Sequence, residues 1–179
     1  MKQSVSLVAL RCPHCDTPIT AGSSEYAWKC GQCGQGILLN KEKTLKEIMI
    51  SYQQPAHEDS PGCPYWVLEV SVQFQGAHLP ANRKEELTQF WQNLHKFFIP
   101  AFEMGPVERI QRSTALLRTP PIPISVESYQ FRPVVLSPRD LPVYVEAVVL
   151  QMEAERQDDL KHLIFDLQLS EADLWVLPD

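Results

Sequence analysis

Four cysteines in two close pairs are the residues of this chain with the clearest chemistry. Cys12 and Cys15 form one Cys-x-x-Cys pair, and fourteen residues separate it from a second pair, Cys30 and Cys33. Each pair brings two thiolates to one point on a tight turn, and two such turns on adjoining loops complete a tetrahedron of sulfurs. The spacing therefore predicts a structural zinc site with these four cysteines as its ligands.

An all-thiolate ligand set also defines what the metal would do. Four sulfurs complete the tetrahedral shell of Zn²⁺ and leave no open position for activating water, so we expect one structural ion. The ion would replace a hydrophobic core that about fifty residues are too few to build. His14 lies inside the first pair, and we expect its side chain to point outward and not to bind the metal.

Two other uses of these cysteines fit the surrounding sequence less well. Disulfides need an oxidising compartment and usually a secretory signal, but residues 1–11 contain only a short apolar stretch. We therefore expect a cytoplasmic protein. The sequence Cys-Pro-His-Cys resembles the active-site tetrapeptide of thioredoxin-fold thiol oxidants of the bacterial periplasm. In that fold the motif opens a helix, whereas Pro18 stands here where the helix would run.

Short strands and turns must position the four sulfurs. Residues 21–24 are rich in turn formers, and residues 25–29 predict a strand that returns to the second cysteine pair. Gly34 follows that pair, and glycine allows the positive φ that directs backbone amides at sulfur. Asp16 occupies the equivalent position after the first pair, where Asp tolerates the left-handed region. Residues 37–39 predict a further strand.

These features resemble the zinc-ribbon family over roughly the first quarter of the chain. An aromatic-rich strand at residues 65–68 and an apolar run at residues 98–102 before a helix extend the similarity to a group of poorly characterised bacterial zinc-ribbon proteins. The resemblance implies bound zinc, a cytosolic location and a bacterial origin. It supplies no catalytic residues.

The chain is predicted to divide into a zinc ribbon at residues 1–52, a linker at residues 53–64 and an α+β domain at residues 65–179. The linker contains three prolines, one glycine and no apolar period, as is typical of a stiff connection. Its cysteine, Cys63, has no basic residue within five positions that would lower the thiol pKa. We expect Cys63 to be a small residue packed under the larger domain, with a reactive thiol as the alternative.

The larger domain is predicted to hold a mainly antiparallel or mixed sheet and about three helices on one face. Alternating side chains and apolar runs predict strands at residues 66–75, 97–102, 131–136, 163–169 and 174–177, of which the last two would pair as a terminal hairpin. Caps and helical periods predict helices at residues 83–93, 106–118 and 137–156, and a brief helix at residues 41–52. Residues 143–150 also fit a strand, and residues 4–10 a weak one.

The charge distribution and the absent motifs bear on function. The net charge is −6, with +3 on residues 1–46 and −9 on the remainder. The sequence has no phosphate loop, dinucleotide-binding glycine motif, His-Glu-x-x-His or Gly-x-Ser-x-Gly. We therefore predict a non-enzymatic scaffold protein that mediates protein–protein interaction within a cytosolic complex. Its candidate aromatic anchors are Tyr26, Trp28, Trp66 and residues 97–102.

Two alternative functions remain open at this point. The first is nucleic-acid binding through the ribbon, in which Tyr26 and Trp28 would stack on bases, although the acidic remainder of the chain opposes a polyanion. The second is a thiol oxidoreductase that uses the Cys-Pro-His-Cys sequence, which requires cysteines free of metal. The cations available to a nucleic acid are Arg11, Lys29, Lys41, Lys43 and Lys46.

Overall fold

The structure, a computed structural model, describes residues 9–40, 42–54, 60–75, 89–122, 127–156 and 164–179. Within these residues the fold is α+β, as predicted, with small N-terminal strands before a larger mixed sheet. The strand predicted at residues 4–10 lies outside them except at its last two residues. Residues 83–88 of the helix predicted at residues 83–93 also lie outside the described residues, and residues 89–91 are helical.

A small antiparallel sheet adjoins the second cysteine pair, which lies between its first two strands in the sequence. Its strands, β1 (Ala27–Lys29), β2 (Gly36–Leu39) and β3 (Leu45–Ile48), lie in the order β1-β2-β3. A tight turn joins β2 to β3, in which the Asn40 side-chain oxygen accepts a hydrogen bond from the Thr44 amide at 2.8 Å. Strands β1 and β2 correspond to the strands predicted at residues 25–29 and 37–39.

The brief helix predicted for residues 41–52 is wrong, because none of the described residues 42–52 is helical and most of them lie in strands. After β3, residues Ile50–Tyr52 form a further strand, β4, which leaves the small sheet and joins a larger one. Leu45 and Ile48 have a spacing that suits one face of a helix. The β2–β3 turn instead leads into strand β3, which contains both residues and whose backbone groups pair with β2. Local apolar spacing alone does not separate these two outcomes in a short segment.

The larger sheet is built around one long strand, β5 (Cys63–Gln75). The order is β4-β8-β5-β6, with β6 at His95–Pro100 and β8 at Asp173–Leu177. Strand β4 runs parallel to β8, and the other pairs are antiparallel, so the sheet is mixed. The alternation predicted for residues 66–75 is confirmed, because its apolar positions turn to the core while Glu69, Gln73 and Gln75 are exposed.

The predicted terminal hairpin is wrong. Strand β7 (Ile164–Leu169) and strand β8 do not pair with each other, because both pair with the same edge of β5. Leu169 is opposite Val70 and Asp173 is opposite Val67, so four steps along one chain match three along the other. The three residues that connect β7 to β8, residues 170–172, therefore face only two residues of β5, an excess of one residue comparable to that of a β-bulge.

Two helices, together with the helical residues 89–91, lie within the described part of the domain, and both of these helices begin at predicted signals. Helix α1 (Pro106–Arg118) starts with proline at its first turn. Ser137 caps a 3-10 turn, Pro138–Asp140, which leads directly into helix α2 (Leu141–Arg156). Residues 143–150 are therefore helical, and the alternative of a strand is excluded. One face of α2 is buried, with Val145, Val148 and Val149 in the core, whereas Val143 on the other side is 66% exposed.

The strand predicted at residues 131–136 does not form. Only two isolated bridges occur in this segment, one between Phe131 and Gly62 and one between Val134 and Ala27. Pro133 lies between the two bridging residues and has no amide hydrogen for a continuous ladder. The segment instead links the small sheet, through Ala27, to the start of β5, through Gly62.

The main core lies between one face of the larger sheet and α2. Trp66 is fully buried there, and its indole nitrogen donates to the Leu136 carbonyl at 2.9 Å. Leu38 of the small sheet belongs to the same core, so the two sheets share one interior. A second, smaller cluster lies on the other side of the start of β5, where Tyr65, Val67 and Phe102 are buried together with Cys63.

The buried face of helix α1 includes Arg109 and Ser113 as well as Thr114 and Leu117. Val107 is 66% exposed, whereas Arg109 is only 6% exposed. The guanidinium of Arg109 donates to the carbonyls of Pro100 and Phe102 at 2.9 and 2.8 Å and to the Tyr144 hydroxyl at 3.0 Å. The buried arginine thus satisfies carbonyls of the β6–α1 connection, which explains why a charged residue replaces an apolar one here.

None of the described helices has the length and apolar character needed to cross a membrane.

Candidate metal centre

The two Cys-x-x-Cys turns have matching backbone structures. In the first turn the amide of Asp16 donates to the Cys12 carbonyl at 2.9 Å, and in the second the amide of Gly34 donates to the Cys30 carbonyl at 2.9 Å. Asp16 has a φ of 58° and Gly34 a φ of 77°. Both residues are therefore left-handed, as predicted, and each reverses the chain directly after its second cysteine.

This geometry brings the four predicted ligands together. The Sγ atoms of Cys12, Cys15, Cys30 and Cys33 all lie within 4.8 Å of one another. The Cys12–Cys33 separation is 3.7 Å and the Cys15–Cys30 separation is 3.6 Å. A tetrahedron with metal–sulfur bonds of about 2.3 Å has edges of about 3.8 Å. All four cysteines are free thiols, so the cluster has the dimensions of a tetrathiolate metal site and not of two disulfides.

Hydrogen bonds to sulfur favour the thiolate form that a metal requires. The side chain and the amide of Thr17 lower the pKa of Cys15 to about 6, and the Thr17 hydroxyl lies 3.3 Å from its sulfur. The amides of Cys33 and Gln32 lower the pKa of Cys30. The turns therefore supply donors that stabilise negative sulfur before any metal binds.

Cys33 shows the opposite behaviour, because the four sulfurs compete for charge. The Gln35 amide favours its thiolate, but local desolvation beside the sulfurs of Cys15, Cys30 and Cys12, together with those sulfurs themselves, raises the pKa of Cys33 to about 12 although its side chain is exposed. Four close sulfurs retain a proton when no cation is present to offset their mutual repulsion. A divalent cation at the centre removes that cost, so the cluster is chemically suited to holding one.

A small apolar cluster packs against the cysteine turns. Cys12, Trp28, Cys30 and Ile37 are buried together, while Cys33 is exposed. The Trp28 indole nitrogen donates to the Glu25 carboxylate at 2.6 Å. Trp28 thus belongs to the small core beside the cysteine turns. The other predicted anchors Trp66, Phe97, Phe98 and Phe102 are buried as well, so these aromatic side chains do not present an exposed binding surface.

His14 lies outside the sulfur cluster. Its side chain is 61% exposed, and its Nδ1 atom lies 3.8 Å from the carboxylate of Glu47 on β3. Among the residues that the structure describes, the four cysteines are the only group of three or more metal-binding side chains close enough to share an ion. The arrangement can hold a metal in a closed shell, and it offers no additional protein ligand.

Cys63 is the fifth cysteine, and its surroundings differ from those predicted from the sequence. It is fully buried at the start of β5, and burial raises the pKa of its thiol to about 11. Two arginines that are distant in sequence, Arg112 and Arg132, lie close enough to oppose this shift. Sequence neighbours alone gave no sign of them. The packing favours a small buried residue over a reactive thiol.

An open groove lies where the β2–β3 turn meets the start of α2 and the β7–β8 connection. Its volume is about 810 Å³, and buried apolar side chains such as Leu38 and Leu141 line it together with exposed charged ones. Lys46 on β3 and Glu171 in the β7–β8 connection form an ion pair of 3.6 Å across this region. No sequence motif marked this groove, because its walls come from five separate parts of the chain.

Comparison with known proteins adds no relative to this description: no protein-family model, no curated protein and no solved structure matches the chain.

Proposed function

We propose that this protein is a non-enzymatic zinc-ribbon scaffold that mediates protein–protein interaction within a cytosolic complex. The observation that carries the proposal is the closed cluster of four sulfurs, with Cys15 and Cys30 only 3.6 Å apart. A metal with four thiolate ligands has no site for substrate or water. Its contribution is to hold two turns and a small sheet in place, and that role suits a module that presents a surface.

Zinc is the metal that we assign to the cluster. Tetrahedral sulfur sets hold Zn²⁺ or iron, and two Cys-x-x-Cys pairs at this separation are typical of zinc ribbons. Elemental analysis of freshly isolated protein should give one zinc per chain. A metal content below half an equivalent, with the sulfurs joined to each other, would contradict the assignment.

The scaffold role is tested by native co-purification combined with cross-linking. We expect one protein partner to be recovered at a fixed stoichiometry with both the wild-type chain and His14→Ala, which leaves all ligands in place. Cys30→Ser should lose the partner together with the metal. Mass spectrometry of cross-linked peptides then maps the contact. Recovery of the same partner by a metal-free Cys30→Ser protein would overturn a role for the ribbon.

Nucleic-acid binding has less support than a protein partner. Arg11 forms an ion pair with Asp16 at 3.1 Å, and Lys46 pairs with Glu171. Trp28 is buried and its indole is engaged, so it is not available for stacking on a base. Salt-dependent retention of the protein on single-stranded DNA at physiological ionic strength would favour this alternative over the scaffold role.

A thiol oxidoreductase also has less support. The first cysteine pair lies on a turn closed by the Asp16–Cys12 hydrogen bond, and no helix begins there. The pair therefore lacks the helix N-terminus that activates cysteine in thioredoxin-like enzymes. Rapid labelling of Cys12 or Cys15 by a thiol reagent in the protein as isolated would favour the redox alternative.

A further inference from the structure

The side chain of Asp179 is held by donors from three different parts of the fold. Its Oδ1 atom accepts hydrogen bonds from the Cys63 thiol at 3.5 Å and from the Arg112 guanidinium at 3.3 Å. Its Oδ2 atom accepts a hydrogen bond from the guanidinium of Arg132. The donors come from the start of β5, from α1 and from the segment after residue 126, so tertiary structure assembles them around one carboxylate.

Both guanidinium groups are fixed by the aromatic ring of Phe102. The central carbon of Arg132 lies 5.1 Å from the ring centroid and that of Arg112 lies 5.6 Å from it. Arg112 also lies 5.9 Å from the ring of Tyr65, which is buried. Cation–π packing of this kind holds arginine in a defined orientation. The two arginines are therefore positioned before any ligand arrives.

The backbone adds a second constraint on this cluster. The amide of Arg132 donates to the Gly62 carbonyl at 2.9 Å, and the amide of Gly62 donates to the Gln130 carbonyl at 2.9 Å. These bonds fasten the Arg132 segment beside the buried Cys63. The backbone of Arg132 thus has a fixed position beside Cys63, while the side chains of Arg112, Arg132 and Asp179 are 32%, 38% and 48% exposed.

The charges of the cluster do not balance. Two guanidinium groups contact a single side-chain carboxylate, so the side-chain charges in contact leave one positive charge in excess. Arginine forks bind the oxygens of phosphate and carboxylate with similar geometry. A phosphate dianion would supply the second negative charge and a third oxygen for the Cys63 thiol.

We propose that Arg112, Arg132 and Cys63 form a binding site for a phosphate dianion, and that the side chain of Asp179 fills this site as an internal substitute. The site lies at the start of β5 and is built from different residues than the metal centre. This inference does not depend on the scaffold role. A phosphate group binds when the Asp179 side chain swings away from the arginines.

The test removes the internal substitute and measures binding of inorganic phosphate by calorimetry. We expect Asp179→Ala to bind phosphate at least about tenfold more tightly than the wild-type chain, because a tethered competitor acts at an effective millimolar concentration. Adding Arg132→Gln to Asp179→Ala should abolish this gain. Adding Arg132→Lys, which keeps the charge and loses the fork, should leave intermediate affinity. Circular dichroism verifies that each variant is folded.

Two controls keep the result specific. Glu171→Ala removes another exposed acid, one that pairs with Lys46 and not with this cluster, and it should leave phosphate affinity at the wild-type value. Acetate, a monoanion, should bind the Asp179→Ala protein more weakly than phosphate does. Equal phosphate affinities for the wild-type chain and Asp179→Ala, or no effect of Arg132→Gln in the Asp179→Ala background, would overturn the proposal.

Discussion

Asp16 and Gly34 occupy equivalent positions and share the same unusual backbone conformation. Each follows the second cysteine of a pair, and their φ values are 58° and 77°. The left-handed region costs an ordinary L-residue roughly 1–2 kcal/mol, while glycine avoids the cost and Asp bears it comparatively well. The two cysteine turns therefore depend on backbone conformation as well as on sulfur.

The first prediction concerns this conformation. Gly34→Ala should weaken metal retention and lower stability by about 1 kcal/mol, because alanine resists a positive φ. A chelator competition assay and thermal unfolding measure the two effects. Gly31→Ala is the matched control, since no atom lies within 4 Å of its added Cβ and its φ is not in the left-handed region. Equal effects of the two substitutions would show that conformation is not the cause.

The second prediction concerns the metal ligands. Cys30→Ser should release the metal and unfold the small sheet, because structural zinc contributes an apparent binding free energy of about 10–16 kcal/mol in small fingers. Zinc content and near-ultraviolet circular dichroism of Trp28 report the loss. His14→Ser lies in the other turn without being a ligand, and it should retain a full equivalent of zinc. Zinc loss in His14→Ser would contradict the assigned ligand set.

The third prediction concerns acid pH and Asp179. The Cys63 thiol, and then Arg112 and Arg132, lower the pKa of the Asp179 carboxyl below its ordinary value of 3.8. A lowered pKa in the folded state contributes stability above the unfolded-state pKa and loses it as pH falls through the folded value. The wild-type chain should therefore be more stable than Asp179→Asn at pH 7.

The same comparison has a defined behaviour at lower pH. The difference in melting temperature between the wild-type chain and Asp179→Asn should shrink as pH falls below about 4. Metal release in acid affects both proteins alike, so the difference isolates Asp179. A difference that stays constant from pH 7 to pH 3 would mean that the carboxylate charge makes no contribution.

The fourth prediction concerns alkaline pH and Cys63. Burial raises the pKa of this thiol from 9.0 to about 11. Its protonated form is favoured in the folded state, so its contribution to stability is present below pH 9 and is lost as pH rises toward 11. Cys63→Ala removes this contribution, which is on the order of 2 kcal/mol for a shift of this size.

Urea unfolding measured at several pH values checks this effect. Between pH 9 and pH 10 the free energy of unfolding should fall more steeply for the wild-type chain than for Cys63→Ala. Comparing the slopes of the free energy of unfolding against pH excludes the loss of stability, independent of pH, that follows from removing the buried Cys63 side chain. Two tyrosines with raised pKa values, the half-buried Tyr52 and the buried Tyr65, are present in both proteins. Identical slopes would show that Cys63 is already ionised or exposed.

The metal centre could be predicted from the sequence because its determinants are local. Two residues between the cysteines of each pair fix a turn, and the residue that follows needs a left-handed conformation, which Asp16 and Gly34 both adopt. The helices beginning near Pro106 and Ser137 were predictable for the same reason, since a cap or a proline acts within one helical turn. Strand β5 followed from its alternation.

The errors arose where distant parts of the chain decide the structure. Strand β7 pairs with β5 and not with β8, because both share one edge of a strand that lies about a hundred residues earlier. Arg109 is buried because the Pro100 and Phe102 carbonyls need donors. The Arg112–Arg132–Asp179 cluster likewise exists only in three dimensions. No local pattern carries this information.

The parallel pairing of β4 with β8 constrains how the molecule is assembled during synthesis. The cysteine turns leave the ribosome early and can bind their metal at once, but Tyr52 waits for Val176, about 120 residues later, before its strand is covered. Strand β4 therefore remains an unpaired edge next to the completed cysteine turns during much of translation. A short edge strand limits pairing with other chains before its own partner has been made. Strand β4 has three residues, close to the minimum length of a strand.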